Sequence, residues 1–281
     1  MEVAERIRSN AAALTDAERR VAEVVLAVPQ QVGFGTVAEL ARAADVGAAS
    51  VVRLAGKLGF DGYSDLQDAV RREIADQLGP AAQRIREAAG GARSEFAAIE
   101  RANVESTLGS VNDAALDELV ARMADVSSPV VVASGAATAG VARQFATQVA
   151  DLRGDVVWLD GNEIVVRREI ALLSDSATAI VIDLRRYERW ILEAHAALRD
   201  RGVWSAGVTD GPLSPVATCA DVWFEVSAAS SGPFDSHVGT MALLQLAVTE
   251  LARERRADAA GRLDAMERAW RTAGALTDGR G

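Results

Sequence analysis

The first part of the chain places apolar residues with a helical period. Leu14, Ala17, Val21, Val24, Val25 and Val28 fall three, four or seven apart and form one apolar stripe. Thr15-Asp16-Ala17-Glu18 is a capping box, in which hydroxyl and carboxylate each accept from a free backbone N–H at the start of a helix. A helix therefore opens there, runs to about Val28 and stops at Pro29. A second box, Thr36-Val37-Ala38-Glu39, opens a short helix reaching about Ala44. Asp45-Val46-Gly47 then makes a tight turn, since Asp and Gly both accept left-handed backbone. A third helix spans Ala48 to Leu58 and closes on Gly59, and Asp61-Gly62 turns into a fourth, Tyr63 to about Leu78.

Gly79-Pro80 and Gly90-Gly91 punctuate the next stretch, and Arg93 to Leu108 and Asp113 to Val126 read as two bridging helices. From Pro129 the pattern changes. Val130 to Ala133, Asp155 to Leu159, Ala179 to Ile182, Val203 to Val208 and Val222 to Val226 are short β-rich runs. Helical patterns separate most of them, at Ala139 to Leu152, Tyr187 to Asp200 and Ser236 to about Glu254. Strands alternating with helices predict βαβ units and a parallel sheet. The expected division is a helical domain at 1–78, a helical linker at 79–127, an α/β domain at 128–256, and a C-terminal helix and tail at 257–281.

Length agrees, since 281 residues at roughly 150 per domain give two domains. No apolar run approaches the ~20 residues that cross a bilayer, so a membrane-spanning role is excluded. The acidic, amphipathic N-terminus has no signal-peptide core, which makes the cytoplasm the expected compartment. Cys219 is the only cysteine, so neither an intrachain disulfide nor a cysteine-rich metal site is expected. The net charge of −10 argues against nucleic acid, but a small basic face can sit on an acidic body. Between Val46 and Phe60 the only charged residues are Arg53 and Lys57, and Lys57 is the sole lysine of the chain.

Thr36 to Leu58, a short helix, a three-residue turn and a second helix, has the dimensions of a helix-turn-helix. In that motif the N-terminal half of the second helix faces base edges in the major groove. Here that half is small (Gly47, Ala48, Ala49, Ser50), Arg53 follows on the same face, and Lys57 lies where a phosphate would pass. A helical hairpin with two solvated charges has the same dimensions. The sequence itself narrows the choice. Leu14-Thr15-x-Ala17-Glu18-Arg19-Arg20-Val21-Ala22, Thr36-Val37-Ala38-Glu39-Leu40-Ala41, and Ser50-Val51-Val52-Arg53-Leu54-Ala55-x-Lys57-Leu58-Gly59-Phe60-x-Gly62-Tyr63 resemble the DNA-binding domain of RpiR-type transcriptional regulators, over about Leu14 to Leu78. The resemblance implies DNA contacts from Thr36, Gly47, Ala49, Ser50, Arg53 and Lys57. Two positions depart from it: Asp45 replaces a usual Gly, and Gly47 a usual Ser cap.

RpiR-type regulators carry a C-terminal sugar isomerase (SIS) domain, a doubly wound parallel sheet that binds phosphosugars and assembles into oligomers. Pro129 to Ala252 resembles it in strand order, length and helix placement. Its first strand ends in Ser134-Gly135-Ala136-Ala137-Thr138 ahead of a helix, where backbone N–H groups and the helix dipole favour an anion. Thr138 aligns with the family's phosphate-binding Ser, although a plain N-cap reads the same way. After the third strand the family has Ser-x-Ser-Gly-x-Thr, whereas this chain has Asp183-Leu184-Arg185-Arg186-Tyr187-Glu188. Two readings stand: an anion gripped by Arg185 and Arg186, or an Asp183–Arg185 ion pair that closes the pocket. Gly232-Pro233-Phe234-Asp235-Ser236 resembles the same variant group of regulators, and Ser236 would begin the helix bordering the cleft.

The effector-binding residues expected are Ser134, Thr138, Asp183, Arg185, Arg186, Tyr187, Glu188 and Ser236. No catalytic residue, metal or cofactor is expected. The two histidines, His195 and His237, have no metal-ligand spacing, and His195 reads as a surface or dimer contact. The whole reads as a regulator that binds a palindromic double-stranded DNA operator as a homodimer or homotetramer and senses a small anionic metabolite, with a phosphosugar as one candidate. A sugar-phosphate isomerase or binding protein, and a regulator whose pocket has closed, are the alternatives.

Overall fold

The computed structural model describes residues 3–27, 32–33, 36–78, 81–87, 93–212 and 214–275. The helix stop at Pro29 and the breaks at Gly79-Pro80 and Gly90-Gly91 lie outside them. The chain forms two compact units, Met1–Ala88 and Ala89–Gly281.

The first unit is all helical: α1 (Val3–Asn10), α2 (Asp16–Ala27), α3 (Val37–Ala43), α4 (Ala48–Lys57), α5 (Tyr63–Leu78) and α6 (Ala81–Glu87). Both capping boxes form. Thr15 N–H donates to Glu18 Oε2 at 2.8 Å, and Thr36 N–H to Glu39 Oε2 at 2.7 Å, which sets where α2 and α3 begin. Val21, Leu40, Val51, Leu54 and Leu66 point inward from four helices and are fully buried together. Each such side chain contributes about 1.5–3 kcal/mol. Asp45 takes φ 51°, so the turn between α3 and α4 is left-handed at the aspartate. α1, which the sequence pattern left unassigned, adds Val3 and Ile7 to this core.

The second unit begins with α7 (Arg93–Gly109) and α8 (Asp113–Ala124). The sheet follows as β1 (Val130–Ser134), β2 (Val156–Leu159), β3 (Thr178–Ile182), β4 (Trp204–Thr209) and β5 (Val222–Glu225), in the order β2-β1-β3-β4-β5 with every pair parallel. The connections carry α9 (Ala139–Arg153), α10 (Glu163–Leu172), α11 (Arg189–Asp200) and α12 (Pro215–Cys219). The long α13 (Val238–Glu254) and α14 (Arg256–Ala273) complete it. All of β1 and β3 is buried, as expected of a parallel sheet covered on both faces. Val130, Val132, Ile180 and Ile182 meet Phe145 of α9 and Leu243 and Leu244 of α13, while Val131, Ala133, Ala179 and Val181 meet Ile170 of α10 and Ile191 and Leu198 of α11.

Three expectations change here. α7 and α8 do not bridge: Asn103 and Thr107 of α7 and Leu119 and Met123 of α8 are buried within the second unit. Asn103 Nδ2 donates to Ala229 O at 2.8 Å, and Thr107 Oγ1 accepts from Ser227 N–H at 2.9 Å. α11 begins at Arg189 and α13 at Val238, each two residues later than the pattern implies. His195 is a core residue, 1% exposed, with Nε2 3.0 Å from Ser205 Oγ, and burial lowers its pKa to about 4. A surface position for it is therefore incorrect.

Candidate functional site

In the helical unit the candidate DNA-reading surface is α4. Gly47, Ala48, Ala49, Val52, Arg53 and Gly56 are exposed on it, and Thr36 is exposed at the start of α3. Ser50 is not exposed: it is buried, and its hydroxyl accepts from Arg53 Nη2 at 2.9 Å, so it orients Arg53 from beneath. Lys57 donates to Glu18 Oε2 at 2.7 Å and to Ala13 O at 2.8 Å, and Arg53 Nε stands 3.8 Å from Glu18 Oε1. The Glu18 carboxylate is buried, and its bonds from Lys57 and from the Thr15 backbone hold its pKa down at about 2. Lys57 is thus committed to an internal carboxylate, which leaves Arg53 as the freer cation of α4.

Two arginines brace the motif from outside. Arg20 of α2 donates to Ala44 O at 3.3 Å and Asp45 O at 3.4 Å, meeting carbonyls at the C-terminal end of α3. Arg6 of α1 donates to Leu58 O at 3.1 Å at the end of α4 and lies 4.5 Å over the Phe60 ring. Both Arg20 and Glu18 belong to the Ala17-Glu18-Arg19-Arg20 segment, so a signal for them was present in the sequence.

In the α/β unit the strand order reverses between β1 and β3, and ligand crevices in such sheets form at the carboxyl ends of the strands flanking that point. The residues there are Ser134, the last of β1, Gly135 after it, and Asp183 after β3. Asp183 is buried against Gly135; a Cβ on Gly135 would lie 2.4 Å from Asp183 Oδ1. Asp183 accepts from Leu184 N–H at 3.0 Å and Glu188 N–H at 2.8 Å. Burial outweighs these bonds and raises its pKa to about 6, with the nearby Glu188 carboxylate adding to the rise.

Glu188 Oε1 accepts the N–H of Ala136, in the turn ahead of α9, and its Oε2 accepts from Trp190 Nε1 at 2.7 Å. Thr138 is fully buried, and its hydroxyl lies 3.0 Å from Ile182 O and 3.2 Å from Gly135 O, tying the β1 and β3 ends together. Ser134 Oγ is buried without a partner among the described residues. Tyr187 donates to Asp210 Oδ1 at 2.6 Å beside β4, and burial together with this bond raises its pKa.

Arg185 does not pair with Asp183. Its Nη2 is 3.1 Å from Asp235 Oδ1 and 2.9 Å from Ala228 O, so its ion pair is with Asp235. The physical reason is that Asp183 already has two backbone donors and faces Gly135. Ser236 Oγ donates to Glu100 Oε2 of α7 at 2.5 Å and accepts from Val238 N–H at 3.2 Å. His237, the residue preceding α13, is partly buried, and burial lowers its pKa. Arg186 is exposed, has left-handed backbone at φ 72°, and makes no bond among the described residues. The structure thus brings Ser134, Thr138, Asp183 and Glu188 together at the crevice. Arg185 and Ser236 are held aside, at Asp235 and Glu100. Sequence reading singled out the turn that holds Ala136 as an anion site but missed Trp190, Asp210 and Glu100. Their bonds to Glu188, Tyr187 and Ser236 are pairings that no local pattern encodes.

A helix-turn-helix head followed by a doubly wound sugar-isomerase-type sheet defines a class of two-part proteins, and sequence comparison divides the chain in the same way. The profile of the helix-turn-helix domain, rpiR family, matches residues 1–77, and that of the SIS domain matches residues 123–250. The HTH-type transcriptional regulator HexR of Pseudomonas aeruginosa is 26% identical over 265 residues, covering 90% of each chain. An rpiR-family helix-turn-helix domain joined to a SIS domain gives the chain the architecture of RpiR-type transcriptional regulators.

Two solved structures share the fold. The sugar isomerase domain of an RpiR transcription factor from Sphaerobacter thermophilus superposes with a TM-score of 0.59 at 24% identity, covering 62% of this chain and 97% of that one. The Vibrio vulnificus NanR protein complexed with ManNAc-6P gives 0.59 at 19% identity, over 97% and 99%. A bifunctional protein glk of Paraburkholderia xenovorans is 43% identical over 65 residues, 23% of this chain, which spans 10% of the length of that relative. Among the described residues no helix is long and apolar enough to cross a membrane.

Proposed function

We propose that this regulator binds a palindromic DNA operator through α4 of paired helical units, and that the α/β unit holds the units together as a homodimer or homotetramer and senses a small anionic metabolite. The observation that carries the DNA part is the open face of α4. Ala49 and Val52 present small or apolar surface, Gly56 is exposed, and Arg53 rises between them with its side chain 59% exposed. One such helix offers few phosphate contacts, the more so with Lys57 bound to Glu18. Two copies double them and read a two-fold site.

A phosphosugar is the effector class supported by the SIS domain and by the ManNAc-6P bound to NanR, with Ser134, Asp183, Arg186 and Glu188 as the residues nearest its seat. Turnover is not part of the proposal. The rpiR-family helix-turn-helix domain speaks against it, and the Asp183 and Glu188 carboxylates are both held by backbone amides. The alternative of a regulator with a closed pocket has one observation in its favour, the Glu188 carboxylate on Ala136 N–H.

The test is fluorescence anisotropy of the full-length protein on its own labelled upstream DNA, against random competitor and across salt. Selective, salt-dependent binding is expected, with Arg53→Ala weakening it by about 1–3 kcal/mol if Arg53 reads a base. Binding that is unselective and unchanged in Arg53→Ala would return α4 to a structural role.

A further inference from the structure

The place where the crevice would seat an anion already holds one, and it belongs to the chain itself. Glu188 Oε1 takes the Ala136 N–H, Oε2 is held by Trp190 Nε1 at 2.7 Å, and the Glu188 N–H is held by Asp183 Oδ2 at 2.8 Å. Glu188 is also the N-cap residue of α11, yet its side chain makes no cap bond there; its carboxylate reaches across to the turn before α9 instead. That is a use of a carboxylate on a neighbouring anion cradle in place of its own helix start.

Two residues before Ala136 the chain leaves a buried group unanswered. Ser134 Oγ, 4% exposed at the end of β1, has no partner among the described residues, and Thr240 Oγ1, fully buried in the first turn of α13, has none either. Alternation along β1 puts Ser134 on the face of Val130 and Val132, the face that α13 covers. Buried hydroxyls without partners are uncommon and costly, and mark a place where a polar group is missing. Arg186, exposed and left-handed, is a cation with no bond among the described residues. Arg185 is not available in the same way, being committed to Asp235 and Ala228 O.

We infer that Glu188 is an intramolecular stand-in for the anionic group of the effector, so that the crevice is self-occupied and an effector binds only by displacing this carboxylate. The inference rests on the reading of the crevice as the effector site. The chemistry left behind suits a hydroxylated ligand with one phosphate: the phosphate takes Ala136 N–H, and a hydroxyl meets Ser134. Displacement releases Glu188 from Ala136 and Trp190 from Glu188 together, freeing the start of α11. The closed and open arrangements are then two states whose balance the effector shifts, and the plug lowers the apparent affinity by the fraction of molecules that are open.

The test titrates the full-length protein with inorganic phosphate and with glucose 6-phosphate by calorimetry, for wild type, Glu188→Ala and Glu188→Gln. Emptying the seat is expected to tighten binding of both probes by about tenfold or more, the size of one charge-assisted hydrogen bond removed from competition. Glu188→Gln falls between, because its amide oxygen still accepts from Ala136 but without charge. Tryptophan emission changes on binding in wild type, and the change is lost in Trp190→Phe. Equal affinities in wild type and a folded Glu188→Ala would overturn the inference, as would no binding of either probe to that variant, since an emptied seat accepts any small phosphate. Should Glu188→Ala fail to fold, the nearly isosteric Glu188→Gln decides alone. Operator binding is read on wild type and on the same variants: its absence in wild type strikes the regulator reading, while intact DNA binding with unchanged phosphate affinity strikes the plug only.

Discussion

At the scale of single residues, the crevice depends on one missing side chain. Gly135 leaves the space into which Asp183 fits, and a methyl there would meet Asp183 Oδ1 at 2.4 Å and Cγ at 2.9 Å. Asp183 is short and held by two backbone donors, so it cannot swing clear. Gly135→Ala should cost about 1–3 kcal/mol by overpacking. The double variant with Asp183→Ala should recover part of that loss, which a double-mutant cycle in urea would read as a favourable coupling; strict additivity would show that the two do not collide. Gly47 is the opposite case. It caps α4 with φ −78° and ψ 149°, extended backbone open to any residue, and a Cβ there meets nothing within 4 Å. Gly47→Ser should therefore stabilise the helical unit by about a few tenths of a kcal/mol, seen as a higher urea midpoint.

At the scale of elements, α7 and α13 are in contact through Gly239. Its Cβ position lies 2.6 Å from Thr107 Oγ1 and 2.7 Å from Ser227 O, and Thr107 in turn accepts from Ser227 N–H. Gly239→Ala must push α13 off both, at about 1–3 kcal/mol. The expected result is a lower midpoint for the α/β unit with the helical unit unaffected; an unchanged midpoint would mean α7 yields freely. The same contact explains why α7 read as a bridge. Its apolar period is weak, and what holds it is polar: Asn103 bonds the Ser227 hydroxyl at 2.9 Å and the Ala229 amide at 3.1 Å, partners more than a hundred residues away. α10 escaped notice for a related reason. It buries Val166 and Ile170 but exposes Ile164 and Leu172, so no clean stripe appears.

At the scale of the whole molecule, the two units respond to acid through different groups. Glu18, with its pKa depressed to about 2, stabilises the helical unit above the ordinary carboxylate range and loses that contribution as pH falls from about 4.5 towards 2. His195, lowered to about 4, is neutral when folded and protonates when unfolded, so its contribution is lost between pH 6.5 and about 4. Asp183 runs the other way: raised to about 6, it binds its proton earlier in the folded state, and stability rises as pH falls from about 6 towards 3.8. The two effects oppose each other in the α/β unit. Removing the histidine in His195→Gln should leave the aspartate effect alone, so that Tm relative to wild type climbs from pH 6.5 to about 4. A parallel course of the two Tm curves would show that His195 keeps an ordinary pKa.

The capping boxes, the turn at Asp45, the strand positions and the two-part organisation were legible in the sequence because each rests on residues within a few positions of one another. Family resemblance added the helix-turn-helix and the SIS sheet by the same local motifs. Tertiary structure decided the rest: that Lys57 answers to Glu18, that Ser50 lies under Arg53, that Arg185 turns to Asp235 rather than Asp183, and that Glu188 fills the turn after β1. Each of the charged pairings offers more than one partner of suitable sign along the chain. Only the distances and burial fixed by the folded backbone select among them, because ionic and hydrogen-bond energies depend on geometry that sequence spacing does not carry.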